Sequence, residues 1–157
     1  MQRLISSVGT IRAPFTPVII SAPPVSVNGE TVTFDAFSKN DSFYFKLRDL
    51  AYVLNGTNKQ FDLGWDSAAG SVTLTSSRPY SPDGSEMRPT GGTVRAGIQN
   101  ANLNILKDGV PVTLSAYLVE GHNFIKLRDL MELLDIEVTW NATSGSIGLN
   151  TSMPYND

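Results

Sequence analysis

Lys46-Leu47-Arg48-Asp49-Leu50 recurs unchanged as Lys126-Leu127-Arg128-Asp129-Leu130. The match extends at the same spacing on both sides. Gly29, Val32, Thr33, Ala36 and Leu54 answer Gly109, Val112, Thr113, Ala116 and Leu134, and Phe34/Leu114 and Phe37/Tyr117 are conservative pairs. Beyond a short insertion near residues 57–60 of the first copy, Trp65, Gly70, Leu74 and Pro79-Tyr80 answer Trp140, Gly145, Leu149 and Pro154-Tyr155. Gly9-Thr10-Ile11-Arg12-Ala13 is echoed by Gly92-Thr93-Val94-Arg95-Ala96. So many ordered matches mark an internal duplication, which governs the fold reading. Copy one runs over about 9–80 and copy two over about 92–155. The chain divides into 1–80 (first repeat, with an N-terminal arm over 1–24), a linker over 81–91, and 92–157 (second repeat). The linker, SPDGSEMRPTG, is rich in Pro, Gly and Ser and carries no periodicity, so it reads as a surface connection.

Each copy opens on a turn signal. Asn28-Gly29 lies between Val25/Val27 and Val32/Phe34, and Asp108-Gly109 between Leu103/Ile105 and Val112/Leu114. Both dipeptides suit the two-residue type I′ turn, whose central residues take positive φ, so each predicts a β-hairpin. A short extended stretch follows, Phe43-Tyr44-Phe45 or Phe124-Ile125, and runs into a helix. Leu47, Leu50, Ala51 and Leu54 fall at helical spacing, as do Leu127, Leu130, Met131 and Leu134. Asp49 and Asp129 sit in the first turn, where a negative charge complements the helix dipole. Asn55-Gly56 supplies a stop for the first helix. The period then switches to two through Phe61, Leu63, Trp65 and through Ile136, Val138, Trp140. A polar turn and a second alternating run complete another hairpin. The expected fold class is α+β: a tandem repeat of a small ββ-β-α-ββ unit, each a twisted antiparallel sheet curled around one helix, with one sheet face left wet or meeting a partner.

Composition narrows the function. The chain has 157 residues and a formal charge of −3, with its basic residues scattered rather than clustered. That argues against a nucleic-acid footprint and against a polybasic membrane patch. No apolar run approaches a membrane span, so no membrane insertion is expected. There is no cysteine, which excludes disulfides and thiolate metal sites. Met1 to Ser7 is too short and polar for a signal peptide, so an exported protein would carry its signal upstream.

The order of VNGxxV, an aromatic-rich strand, KLRDL, a Leu-rich helical turn, Trp and a G-x-[IV]-x-L strand resembles the copper amine oxidase N-terminal domain-like repeat, also called the stalk domain, twice over nearly the whole chain. The resemblance implies a compact unit of antiparallel strands around a helix. It also implies an exported, secreted or cell-surface protein of a Gram-positive bacterium, beside catalytic or wall-associated domains. The copper of the family name belongs to the oxidases' catalytic domain. A copper site needs several imidazoles, and this chain has one His, so no metal and no cofactor are expected.

Candidate site residues follow from charge and exposure. Lys46, Arg48 and Asp49, with Lys126, Arg128 and Asp129, form the charged clusters of interest: a clamp for a carboxylate or sugar through the Arg fork, or a structural junction between strand and helix. Their presence in both copies favours the structural role. His122 lies in Glu120-Gly121-His122-Asn123 and is expected to be an exposed loop residue. Asp35, Asp49, Asp62 and Asp66 invite comparison with paired glycosidase carboxylates. Copy two has Ser115, Asp129, Glu137 and Asn141 there, and Asp66 and Asn141 read better as turn residues. Trp65 and Trp140 are expected in the core. Tyr44, on the opposite strand face from Phe43 and Phe45, is the aromatic expected to be exposed. The arm, with Val18-Ile19-Ile20 between Pro14, Pro17, Pro23 and Pro24, is expected to lie extended along a sheet edge. The function expected is a non-catalytic spacer or adhesive module. The alternative is a glycan- or cell-wall-binding module. Partners are a protein or a cell-wall polysaccharide, and edge strands offer self-association.

Overall fold

The computed structural model describes residues 16–21, 23–89, 93–100 and 102–156. It is a mixed α+β protein, mostly sheet, with two helices. The first half contributes β1 (Thr16–Ile19), β2 (Pro24–Val27), β3 (Glu30–Thr33), β4 (Ala36–Lys39), β5 (Ser42–Lys46), α1 (Leu47–Leu54), β6 (Phe61–Asp66) and β7 (Ser71–Ser76). The second contributes β8 (Thr93–Asn100), β9 (Leu103–Lys107), β10 (Val110–Leu114), β11 (Ala116–Val119), β12 (His122–Lys126), α2 (Leu127–Leu134), β13 (Glu137–Asn141) and β14 (Ser146–Asn150). The order of elements is the same in both halves. Where one strand was expected before each helix there are two, joined at Asn40-Asp41 and Glu120-Gly121. These residues take positive φ, as Asn28-Gly29 and Asp108-Gly109 do. Asn-Asp and Glu-Gly are weaker turn signals than Asn-Gly, so alternation alone did not reveal β4 and β11.

No sheet belongs to one half, which corrects the expectation of a helix lying under its own half's sheet. One four-stranded sheet runs β10-β9-β7-β6 and another β13-β14-β2-β3. Each joins the opening hairpin of one half to the closing hairpin of the other. The joints are parallel: Ile105, Leu106 and Lys107 pair with Val72, Thr73 and Leu74, and Ile147, Gly148 and Leu149 pair with Val25, Ser26 and Val27. These sheets are therefore mixed and not wholly antiparallel. The third sheet runs β1-β8-β11-β12-β5-β4 and is curled into a half-barrel. Its centre is an antiparallel pairing in which Tyr44 faces Lys126, Phe45 faces Ile125 and Lys46 faces Phe124. Asn28 ties the exchange at one end, donating from Nδ2 to Thr151 Oγ1 at 3.0 Å and accepting the Thr151 N–H at 2.9 Å.

Thr16–Ile19 lies at the edge of the curled sheet, paired with β8, so this part of the arm is extended along an edge as expected. Residues 1–15 of the arm lie outside the described residues. Just beyond β1 the chain reaches the opposite edge. Ser21 and Ala36 exchange N–H to carbonyl bonds of 2.7 and 2.8 Å.

One apolar core spans both halves. It gathers Leu47, Leu50, Ala51 and Leu54 of α1, Leu127, Leu130, Met131 and Leu134 of α2, and inward residues of all three sheets, among them Phe61, Leu74, Ile105 and Ile147. Helix α1 touches β5 and β6 of its own half and β12 of the other; α2 touches β12, β13 and β5. A second cluster, Ile20, Phe37, Tyr44, Val119 and Phe124 with Tyr117 against it, fills the inside of the curl. Tyr44 is 6% exposed there, stacked on Phe37 at 5.2 Å and edge-on to Tyr117 at 4.9 Å. The expectation that Tyr44 is exposed is therefore overturned: curling buries the sheet face that alternation assigns to solvent.

A shared core predicts shared unfolding. Leu50→Ala and Leu130→Ala, each at a fully buried position, should each cost roughly 2–5 kcal/mol. Both should shift a single cooperative transition in urea. A biphasic melt, with one half surviving the other, would show that the halves keep separate cores.

Candidate functional site

The strand before each helix feeds straight into it. Lys46 and Lys126 hold extended N-cap geometry without a side-chain cap, which places Arg48 and Arg128 beside the sheet and Asp49 and Asp129 in the first helical turn. The Lys-Leu-Arg run of each half therefore lines a groove. Its second wall is the Trp strand of the same half, and its third is the tight turn of the other half. The first groove is lined by Lys46, Arg48, Asp49, Trp65 and His122. The second is lined by Asp41, Phe43, Lys126, Arg128, Thr139 and Trp140.

Trp65 and Trp140, expected in the core, are 64% and 51% exposed. Each shares a strand face with buried residues, Phe61 and Leu63 or Ile136 and Val138. Each stands at the strand end, where the sheet overhangs the two-turn helix that covers the rest. Phe43 packs against Trp140, with ring centroids 6.0 Å apart. These were the residues sequence reading missed. The available signal was position: each Trp immediately precedes a polar turn, Asp66 or Asn141, whose side-chain oxygens accept the N–H groups of Ala68 and Ala69 or of Thr143 and Ser144.

In the first half the charged cluster serves as a clamp on the chain itself. Residues 79–89 do not form a plain surface connection but a strap across the groove. Lys46, buried, lies 3.6 Å from Asp35 and donates to the Arg88 carbonyl at 3.1 Å. Asp49, also buried, accepts the Met87 N–H at 2.9 Å. Arg48 donates to the Tyr80 hydroxyl at 2.8 Å and lies 3.4 Å from Asp83, while the Tyr80 hydroxyl donates to Glu86. Met87 packs on the core. Within the strap, Glu86 accepts from the N–H groups of Asp83 and Gly84, and Asp83 from the N–H and hydroxyl of Ser85. Lys46, Arg48 and Asp49 thus all contact the strap.

The second groove carries the same side chains, and among the described residues no strap crosses it. Arg128 is exposed, Lys126 and Asp129 are half-buried, and neither cation has an ion pair or side-chain hydrogen bond among the described residues. The open volume is about 470 Å³, against about 160 Å³ left in the first groove.

The remaining candidates are dispersed. Asp62 accepts the Ser81 N–H and Asp66 caps its turn. His122 is not a loop residue but the first residue of β12, half-buried and facing Asp49 closely enough to favour its charge. Among the described residues no three His, Cys, Asp or Glu side chains gather in a metal-holding cluster, and no helix is long and apolar enough to cross a membrane.

Two kinds of carboxylate meet in the strap. Burial pushes Asp49 above the ordinary range, only partly offset by the Met87 N–H and Lys46. Hydrogen bonds from Ser85 hold Asp83 below it. At Glu86, burial opposes the charge but the Tyr80 hydroxyl and backbone N–H groups outweigh it, so it too is lowered. Tyr80 is pushed up to about 12, first by burial and then by its bond to Glu86. The signs are opposite. Stability from Asp83 and Glu86 is present at neutral pH and lost as pH falls through their folded values, whereas the neutral form that burial favours at Asp49 is lost as pH rises through its own. The Gly84 and Ser85 amide resonances should therefore titrate below the ordinary carboxylate range of about 4, and that of Met87 above it. Coincident midpoints in an NMR titration would contradict this assignment.

No family model, curated protein or solved structure matches this chain.

Proposed function

We propose that this chain is a non-catalytic interaction module of an exported bacterial protein, built from two copies of one unit, and that it binds through the open groove of the second half. The observation that carries the reading is Lys126 and Arg128, without an ion pair among the described residues, beside the exposed Trp140 and the half-buried Phe43. A groove with a wide aromatic floor and convergent cations is suited to recognition. The carboxylates needed for acid–base chemistry lie apart, held by turns, by Lys46 or by the strap. The duplicated order of elements and the KLRDL repeats support the resemblance to the stalk-domain family, and with it the secreted or cell-surface setting. The outer strands of the four-stranded sheets offer edges for association, tempered by Pro111 on β10.

A second reading, a module for glycan or cell-wall polysaccharide, is favoured by the exposure of both Trp65 and Trp140 at strand ends beside Asp, Asn and Thr. Indole faces stack on sugars through their apolar surface.

Titration of the full chain with peptides and cell-wall oligosaccharides, followed by tryptophan fluorescence, separates these readings from catalysis. The expected result is saturable binding without turnover. Trp140→Ala should weaken it about tenfold or more, as loss of an aromatic anchor does, and Trp65→Ala should leave it intact. Turnover of any added substrate that survives Trp140→Ala would refute the module reading.

A further inference from the structure

The two grooves can be compared residue by residue, and one of them shows its occupant. Lys46 corresponds to Lys126, Arg48 to Arg128, Asp49 to Asp129 and Tyr80 to Tyr155. The anchoring is also equivalent. The Tyr80 N–H donates to Asn55 Oδ1 and the Tyr155 N–H to Asp135 Oδ1, both at 3.0 Å, from the residue that ends each helix. Beyond Tyr80 the first groove is crossed by a looped segment that carries Asp83 and Glu86 and turns at Gly84 and Met87. Asp83 faces Arg48, Glu86 reaches Arg48 through the Tyr80 hydroxyl, the Arg88 carbonyl takes Lys46, and the Met87 N–H goes to Asp49 while its side chain reaches the core.

We propose that the second groove docks a looped, carboxylate-bearing peptide of the same chemistry, supplied by a partner protein. It would place one carboxylate on Arg128, a main-chain carbonyl on Lys126, a main-chain N–H on Asp129 and an apolar side chain beside Trp140 and Phe43. The proposal rests on reading the chain as an interaction module and names the partner of that same groove.

Charge favours this occupant over a neutral sugar. Lys46 has Asp35 beside it, but the position answering Asp35 in the second half is Ser115. Lys126 therefore has no counterpart of Asp35; Asp41 lines the same groove, but Lys126 and Arg128 together outnumber it, so the groove can take an incoming carboxylate. Arg128 presents an open planar fork suited to a carboxylate. The floor is also more apolar, since Phe43 stands where the first groove has Asn123.

The probe is a synthetic peptide of residues 81–88 (SPDGSEMR), titrated into the isotopically labelled full chain at up to millimolar concentration. The strap in the first groove is held at high effective concentration by its own connection, so the free peptide does not displace it. Saturable shifts are expected at the Trp140 indole N–H and the Arg128 side chain, and none at Trp65. A peptide carrying Asp83→Asn and Glu86→Gln should bind at least tenfold more weakly, as should the native peptide to R128E. Binding should also fall several-fold as salt rises, because the groove is open to screening. Arg128 is exposed, so R128E is expected to fold, and unchanged shifts throughout the core confirm it. Equal binding of the peptide that lacks both side-chain carboxylates overturns the proposal. So does a Trp140 response to uronic-acid or peptidoglycan oligosaccharides with none to the peptide, although that result leaves the interaction-module reading standing. Silence of Trp140 towards both ligand classes sinks the proposal and the module reading together.

Discussion

The structure depends on the antiparallel pairing of β5 with β12. Phe45 faces Ile125, and the flanking pairs exchange, Lys46 with Phe124 and Lys126 with Tyr44. A strand that pairs with its own counterpart puts the two halves in a reciprocal relation, so whatever one half offers the other must accept. The opening hairpin of each half is then carried to the closing hairpin of the other, and the two parallel joints follow. Each half alone would have too few strands and too small a core to bury its helix. Sharing strands yields one core around both helices.

The same pairing explains why both faces of the curled sheet are buried around β5 and β12. One face carries Phe45 and Ile125 against the helices; the other carries Tyr44, Phe37 and Phe124 into the interior of the curl. Six strands with the usual twist can bend far enough for Ser21, just beyond the first edge, to bond Ala36 on the last. That contact covers part of an edge that would otherwise present open backbone groups.

Near-symmetry makes the difference between the grooves informative. Both inherit a Lys, an Arg and an Asp because the strand–helix junction requires a polar rim where the sheet outruns the helix. In the first half these groups are absorbed by a strap. Its value lies in placement more than in stability, since the Lys46–Asp35 pair is buried and such pairs gain little net free energy. In the second half the rim stays open. The same kind of junction thus holds a strap in one half and lines an open groove in the other.

How much of this was legible in the sequence depends on whether a feature is local. The hairpins at Asn28-Gly29 and Asp108-Gly109, the two short helices and the closing hairpins follow from turn chemistry and from periods of two and 3.6, which act over a few residues. The matching order of elements in the two halves was legible for the same reason, as was the extended Thr16–Ile19. The exposure of Trp65 and Trp140, the burial of Tyr44 and the object held by Lys46, Arg48 and Asp49 were not. Alternation assigns a side chain to a face of a strand, but not how far the neighbouring helix covers that face or whether the sheet curls over the other. Those depend on which strands from distant parts of the chain come together. The sequence by itself therefore determined the elements and their repetition. Only the tertiary structure decided that the halves trade hairpins, because two half-cores lower their exposed apolar surface most by closing on each other.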